Sequence, residues 1–205
     1  MIASTPASLI AIACFGGTAL VGRYVATRLP PGIDRAGMRL RGFATPLAAM
    51  LTFLGRWYAI VALAAIAAAA AAALQRPVFP VFALLASQVV AQGVVSVIKA
   101  GVRRARPARW LLRLESDSSF PSGHAVTSVV FFIGLIVLVH GWHVAAPATY
   151  AIACLLAFCA LGIPWSRLAL GAHYVTDVLG GLLFGTGWLF ATLVIFAHAG
   201  LLRPV

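Results

Sequence analysis

The sequence predicts an all-α, polytopic membrane protein with six transmembrane helices and an interfacial amphipathic segment between the first and second. Two observations carry that reading. The 205 residues are 62% hydrophobic and only 9% charged, with a mean hydropathy of +1.02, more apolar surface than a soluble domain of that size uses. The apolar residues also gather into runs of bilayer-spanning length, and helices satisfy their own backbone within lipid. The whole of 1–205 reads as a single membrane-embedded domain.

The first run, residues 7–27, follows no basic leader and reads as a retained span. Residues 28–56 hold Pro30, Pro31 and Gly32, then Asp34 as an N-cap ahead of Arg35, Arg39 and Arg41. Ala36, Leu40, Phe43, Leu47, Leu51 and Leu54 recur near helical spacing, so this part is expected to lie along the interface, with Pro46 interrupting it. Arg56-Trp57-Tyr58 has the composition of an interfacial anchor. The second span, about 57–75, is rich in alanine and suited to close packing, and Arg76-Pro77 ends it. The third, about 78–98, ends at Lys99 and leads into a basic loop, 100–121. The fourth is expected at 122–140, the fifth at 148–165 and the sixth at 175–200. The sixth carries Gly181-x-x-x-Gly185, a common close-packing pattern. Six spans bring Lys99, Arg106, His124, Arg167 and His173 to one membrane face.

The net charge is +11, and Lys99 is the only lysine. Such charge anchors a protein to anionic headgroups and sets its topology. Part of it is also suited to binding phosphate. Nucleic acid is not an expected partner, because the basic residues occupy short loops between spans. Cys14, Cys154 and Cys159 lie within apolar runs, without metal-binding spacing, and read as core residues. His140, His143 and His198 carry no motif and read as structural.

Three stretches carry chemistry. In Ser166-Arg167-x5-His173-x3-Asp177, helical spacing would put His173 and Asp177 on one face. A carboxylate beside one imidazole nitrogen fixes the tautomer and leaves the other free to attack, and Arg167 offers a planar fork for phosphate oxygens. The same pair could be a structural hydrogen bond, but ionisable groups at membrane depth are costly and mark function by default. Pro121-Ser122-Gly123-His124 opens the fourth span. Its free N–H groups and the Ser122 hydroxyl suit an anion, Gly123 permits close approach, and His124 can give a proton to a leaving oxygen. A plain helix cap with an incidental histidine would look the same. Lys99-x6-Arg106-Pro107 adds two cations, while the loop's other arginines read as charge that sets orientation.

Together these stretches resemble the signature of the type 2 phosphatidic acid phosphatase superfamily: Lys-x6-Arg-Pro, Pro-Ser-Gly-His, and Ser-Arg-x5-His-x3-Asp. All eleven fixed positions match, in order. The resemblance implies a membrane lipid phosphatase in which His173 forms a phosphohistidine, Asp177 orients it, and His124 protonates the leaving group and then activates water. Lys99, Arg106, Ser122, Gly123 and Arg167 would hold the phosphoryl oxygens. Such a site needs no metal or cofactor, and four acidic residues are too few and too scattered for a two-metal cluster. The expected substrate is a lipid phosphate whose tail stays in the bilayer: phosphatidate, phosphatidylglycerol phosphate, a polyprenyl diphosphate or a phosphate on a lipid-linked sugar. Two alternatives stay open: a lipid phosphotransferase using the same site, and a non-catalytic membrane protein that binds lipid phosphate. The resemblance implies a bacterial inner membrane and an extracytoplasmic site. The positive-inside rule points the other way, because Arg23, Arg28, Arg35, Arg39 and Arg41 fall on the site's side and little beyond Arg76 and Arg203 opposes them. The sequence sets no oligomeric state.

Overall fold

The computed structural model describes residues 4–26, 30–108, 117–142 and 145–200. Expectations resting on Arg28, His143 and Arg203 lie outside these residues. The helices are α1 Ser4–Ala26, α2 Gly32–Gly37, α3 Thr45–Leu54, α4 Trp57–Ala73, α5 Phe79–Val102, α6 Gly123–Thr127, α7 Gly134–His140, α8 Ala146–Ala169 and α9 Val175–His198. A π-helical turn, Ser128–Ile133, joins α6 to α7 as one continuous span. Among the described residues, five helices are long and apolar enough to cross a membrane; a sixth span results if α3 and α4, bent by 62° at their junction, count as one. The chain is all-helical among the described residues and polytopic.

Polarity is arranged inside out relative to a soluble protein. Large apolar residues face outward: Trp57, Val97, Leu20 and Leu161 are each more than two-thirds exposed. Polar side chains face inward and bond to one another, as hydrocarbon requires. Gln88 Nε2 donates to Thr127 Oγ1 at 2.7 Å, and Trp188 Nε1 to Ser87 Oγ at 3.0 Å.

Small residues let the helices approach. On α4, the alanines meet the core through a stripe of Ile60, Ala64, Ala67 and Ala71, all buried. Gly187 of α9 accepts α1 so closely that a Cβ there would lie 3.1 Å from the Ala11 carbonyl oxygen. Gly181 is tighter still: a Cβ would lie 2.5 Å from the Ser122 carbonyl oxygen and 2.8 Å from the Ala125 Cβ. The Gly181-x-x-x-Gly185 pattern therefore seats the start of α6 against α9.

Three local expectations are corrected. Asp34 is not a cap: it lies within α2, whose N-cap is Pro31, and it is wholly buried. Pro46 starts α3 instead of interrupting a longer helix, in keeping with proline's fit to the first helical turn. Cys154, read as a core residue, is exposed on α8; the apolar stripe is mostly exposed too, as lipid-facing residues are, although its Leu51 is buried with Ala48 and Thr52 of α3. Leu51 packs against Gly162 of α8, where a Cβ would lie 2.9 Å from its Cδ1.

Candidate functional site

The third stretch is not one helix. Arg167 ends α8, which continues to Ala169, and Gly171 turns the chain at φ +67, a conformation that favours glycine. The Ala172 and His173 N–H groups both donate to the Arg167 carbonyl oxygen, at 2.9 and 3.3 Å. His173 thus sits in the connection and Asp177 in the first turn of α9. Their side chains meet across the helix start, Nδ1 to Oδ2 at 3.5 Å. What brings them together is a capped helix N-terminus, with Asp177 Oδ2 accepting the Tyr174 N–H at 2.8 Å.

His173 is 2% exposed, and its Nε2 accepts from Arg106 NH1 at 3.2 Å. Burial holds the imidazole well below its ordinary range, and the charges of Arg167, Arg106 and Lys99 press the same way, against a weaker pull from the Ser119 carbonyl. The ring is therefore neutral near pH 7, with Nε2 on the cationic side.

The other expected residues converge on it. Arg167 is 1% exposed and donates from NH1 to Thr52 Oγ1 at 2.5 Å. His124 Nε2 reaches the carbonyl oxygen of that same Thr52 at 3.2 Å. The ring fits because residue 55 is glycine, where a Cβ would lie 2.6 Å from His124 Cδ2. The Ser122 N–H bonds the Asp177 carbonyl oxygen at 3.0 Å, tying the second stretch to the third. Ser122 Oγ is buried without a hydrogen-bond partner, a donor ready for an incoming oxyanion. Gly123 is held through its carbonyl by Gln92 Nε2 at 3.0 Å. Lys99 Nζ and Arg106 NH2 both bind the carboxylate of Asp117, at 2.5 and 2.6 Å. Among the described residues no three His, Cys, Asp or Glu side chains could hold a metal ion together.

Sequence reasoning missed two residues. Arg104 is not a loop charge that sets orientation: it is buried, its NH1 binds Asp177 Oδ1 and Thr176 Oγ1, and its NH2 binds Asp34 Oδ2 at 2.6 Å. Asp34 also accepts the Thr176 N–H at 2.9 Å. Arg104 thus clamps the carboxylate beside His173, and Asp34 clamps Arg104. The available signal was scarcity. With four acidic residues in the chain, each carboxylate carried toward a bilayer needs a cation beside it.

Chemically, the arrangement offers an oxyanion seat of guanidinium, ammonium and hydroxyl donors around a neutral imidazole, with a second imidazole nearby. Comparison with known proteins gives the same direction. A family model described as PAP2 superfamily matches residues 80–200. The chain is 32% identical over 131 residues to a lipid A 1-phosphatase of Rhizobium johnstonii, covering 58% of this chain and 50% of that protein. It is 31% identical to a lipid A 1-phosphatase of Rhizobium etli, covering 58% and 52%. It therefore spans about half the length of these curated relatives. A transmembrane PAP2-type phosphatidylglycerolphosphate phosphatase from Bacillus subtilis superposes with a TM-score of 0.75 over 94% of this chain and 98% of that one. Its 21% identity makes that a likeness of fold.

Proposed function

Because the chain belongs to the PAP2 superfamily, we propose that it is an integral membrane lipid phosphatase acting through a phosphohistidine. The observation that carries this is the lodging of His173 between Asp177 on its Nδ1 side and Arg106 on its Nε2 side.

Substrate phosphate takes its place against Lys99, Arg106, Arg167, Ser122 Oγ and the Gly123 N–H. The phosphate draws Arg106 NH1 off Nε2, the freed lone pair attacks phosphorus, and the bond from phosphorus to the leaving oxygen breaks. His124 gives that oxygen a proton. Asp177, held by Arg104, stabilises the ring as it becomes positive. Water then attacks the phosphohistidine, giving its proton to His124; the N–P bond breaks and inorganic phosphate leaves. Charge on the transferring group is met throughout by donors already fixed in place, the usual source of rate in phosphoryl transfer.

The substrate is a lipid phosphate that enters from the bilayer. The relatives' names make lipid A 1-phosphate a first candidate, beside phosphatidylglycerol phosphate and phosphatidate. Location in a bacterial inner membrane with the site on the extracytoplasmic side completes the proposal.

The test is phosphate release from a panel of these lipids by purified protein. Turnover should ignore EDTA, stop with vanadate, which mimics the five-coordinate phosphorus, and vanish in His173→Asn. Release that persists in His173→Asn, or that EDTA abolishes, would refute the mechanism.

A further inference from the structure

We propose that Asp117 sets specificity: its carboxylate occupies the seat between Lys99 and Arg106, admitting a dianionic phosphomonoester and refusing the monoanionic phosphodiester headgroups of ordinary membrane lipids. This rests on the reading of Lys99 and Arg106 as phosphate ligands. The two carboxylate oxygens divide between the two cations, Oδ2 on Lys99 Nζ at 2.5 Å and Oδ1 on Arg106 NH2 at 2.6 Å. Two non-bridging phosphate oxygens would bridge the same cations in the same way. Arg106 also donates from Nε to the Asp117 carbonyl oxygen at 2.9 Å, and its NH1 lies 3.2 Å from His173 Nε2. One guanidinium therefore touches both the bound anion and the imidazole, so an anion that replaces the carboxylate arrives beside Nε2.

The carboxylate can give way. The Asp117 side chain is 50% exposed, whereas those of Lys99 and Arg106 are 12% and 9% exposed. It borders a cavity of about 630 Å³ lined also by Ser96, Arg103 and Ser118. Burial opposes its charge, but hydrogen bonds and charge from Lys99 and Arg106 prevail and bring the carboxyl down to about 2, so it stays ionised at working pH.

An attached competitor is always present at high effective concentration. A phosphodiester brings one negative charge, no more than the carboxylate it must evict. A phosphomonoester brings between one and a half and two charges near pH 7, and three terminal oxygens. The exchange is therefore favourable for the monoester and not for the diester. The site lies in a membrane built of phosphodiesters, so without such a guard its cations would bind bulk lipid.

The full chain, purified in detergent, is assayed on phosphatidate in mixed micelles with and without phosphatidylglycerol. Phosphatidylglycerol should leave the wild type unaffected. In Asp117→Asn and Asp117→Ala, KM should fall about twofold to fivefold, in the range of one exposed ion pair, and phosphatidylglycerol should become a competitive inhibitor. A raised KM with lowered kcat in both variants would assign Asp117 to holding Lys99 and Arg106 in place and overturn the proposal. Equal inhibition of wild type and variants by phosphatidylglycerol would also overturn it. If the wild type releases no phosphate, or His173→Asn still does, the catalytic reading fails instead. Calorimetric binding of inorganic phosphate at pH 8 then decides on Asp117, since the asparagine variant must bind it more tightly and unchanged affinity overturns the proposal.

Discussion

At the scale of single residues, the site depends on which groups are charged before substrate arrives. The depressed pKa of His173 has a definite sign. The folded ring resists protonation, while the unfolded ring takes a proton near pH 6.5. Its contribution to stability is therefore complete above pH 6.5 and lost as pH falls toward the lower folded value. As the proposed nucleophile, His173 should likewise stay neutral below pH 6.5, so its limb of kcat/KM should lie on the acid side of that value. A limb at or above pH 6.5 in a pH–rate profile would contradict this. Arg104 gives a second prediction. Arg104→Met leaves Asp34 and Asp177 buried without their shared cation, which should cost about 3–5 kcal/mol, read as a lowered midpoint of thermal unfolding in detergent. Arg104→Lys keeps the charge but cannot fork between two carboxylates, so it should lower kcat while leaving KM near its wild-type value. The sequence made His173, Asp177, Lys99 and Arg106 legible, because their spacing is a pattern. It hid Arg104 and Asp34, because an ion pair joining residues 70 apart leaves no local trace.

At the scale of elements, the three motif stretches are placed by helix contacts, and glycines set how close those contacts come. Gly181→Ala would push a Cβ to 2.5 Å from the Ser122 backbone oxygen, and backbone cannot give way as a flexible side chain can. It should displace Ser122 and His124 and remove most activity, with a loss of stability of the order seen for overpacking, about 1–3 kcal/mol. Gly93→Ala on α5 is the control, since a Cβ there meets nothing within 4 Å. It should keep activity and gain up to about 1 kcal/mol. Activity and melting temperature of the two variants check this. Element existence was readable from apolar runs, but element ends were not. The chain from 28 to 56 reads as one amphipathic helix only while Pro46 is taken as an interruption and Asp34 as a cap. The structure uses Pro46 to begin α3 and draws Asp34 inward to Arg104, so the helix period predicted from the stripe had no continuous helix to act on.

At the scale of the whole molecule, sidedness turns on what the cations are for. A count of arginines near the site favours a cytoplasmic face. Yet the cations that crowd that face have partners within the fold. Lys99 and Arg106 hold Asp117, Arg104 holds Asp34 and Asp177, and Arg167 holds Thr52. Cations gathered to receive an anion answer to the substrate, and their number says little about which way the first span was inserted. Arg23, Arg35, Arg39 and Arg41 are not among those cations, so the proposed outward orientation rests on what family membership implies. In a background with Cys14, Cys154 and Cys159 replaced, Ala108→Cys beside the site should react with an impermeant maleimide added to intact spheroplasts. Gln75→Cys, in the α4–α5 connection at the opposite end of the bundle, should react only after permeabilisation. Both positions are exposed, so access depends on the membrane alone. The reverse pattern would return the site to the cytoplasm, where exposed Arg35, Arg39 and Arg103 would then be acting as topological signals, and the lipid phosphate it consumes would have to be drawn from the inner leaflet.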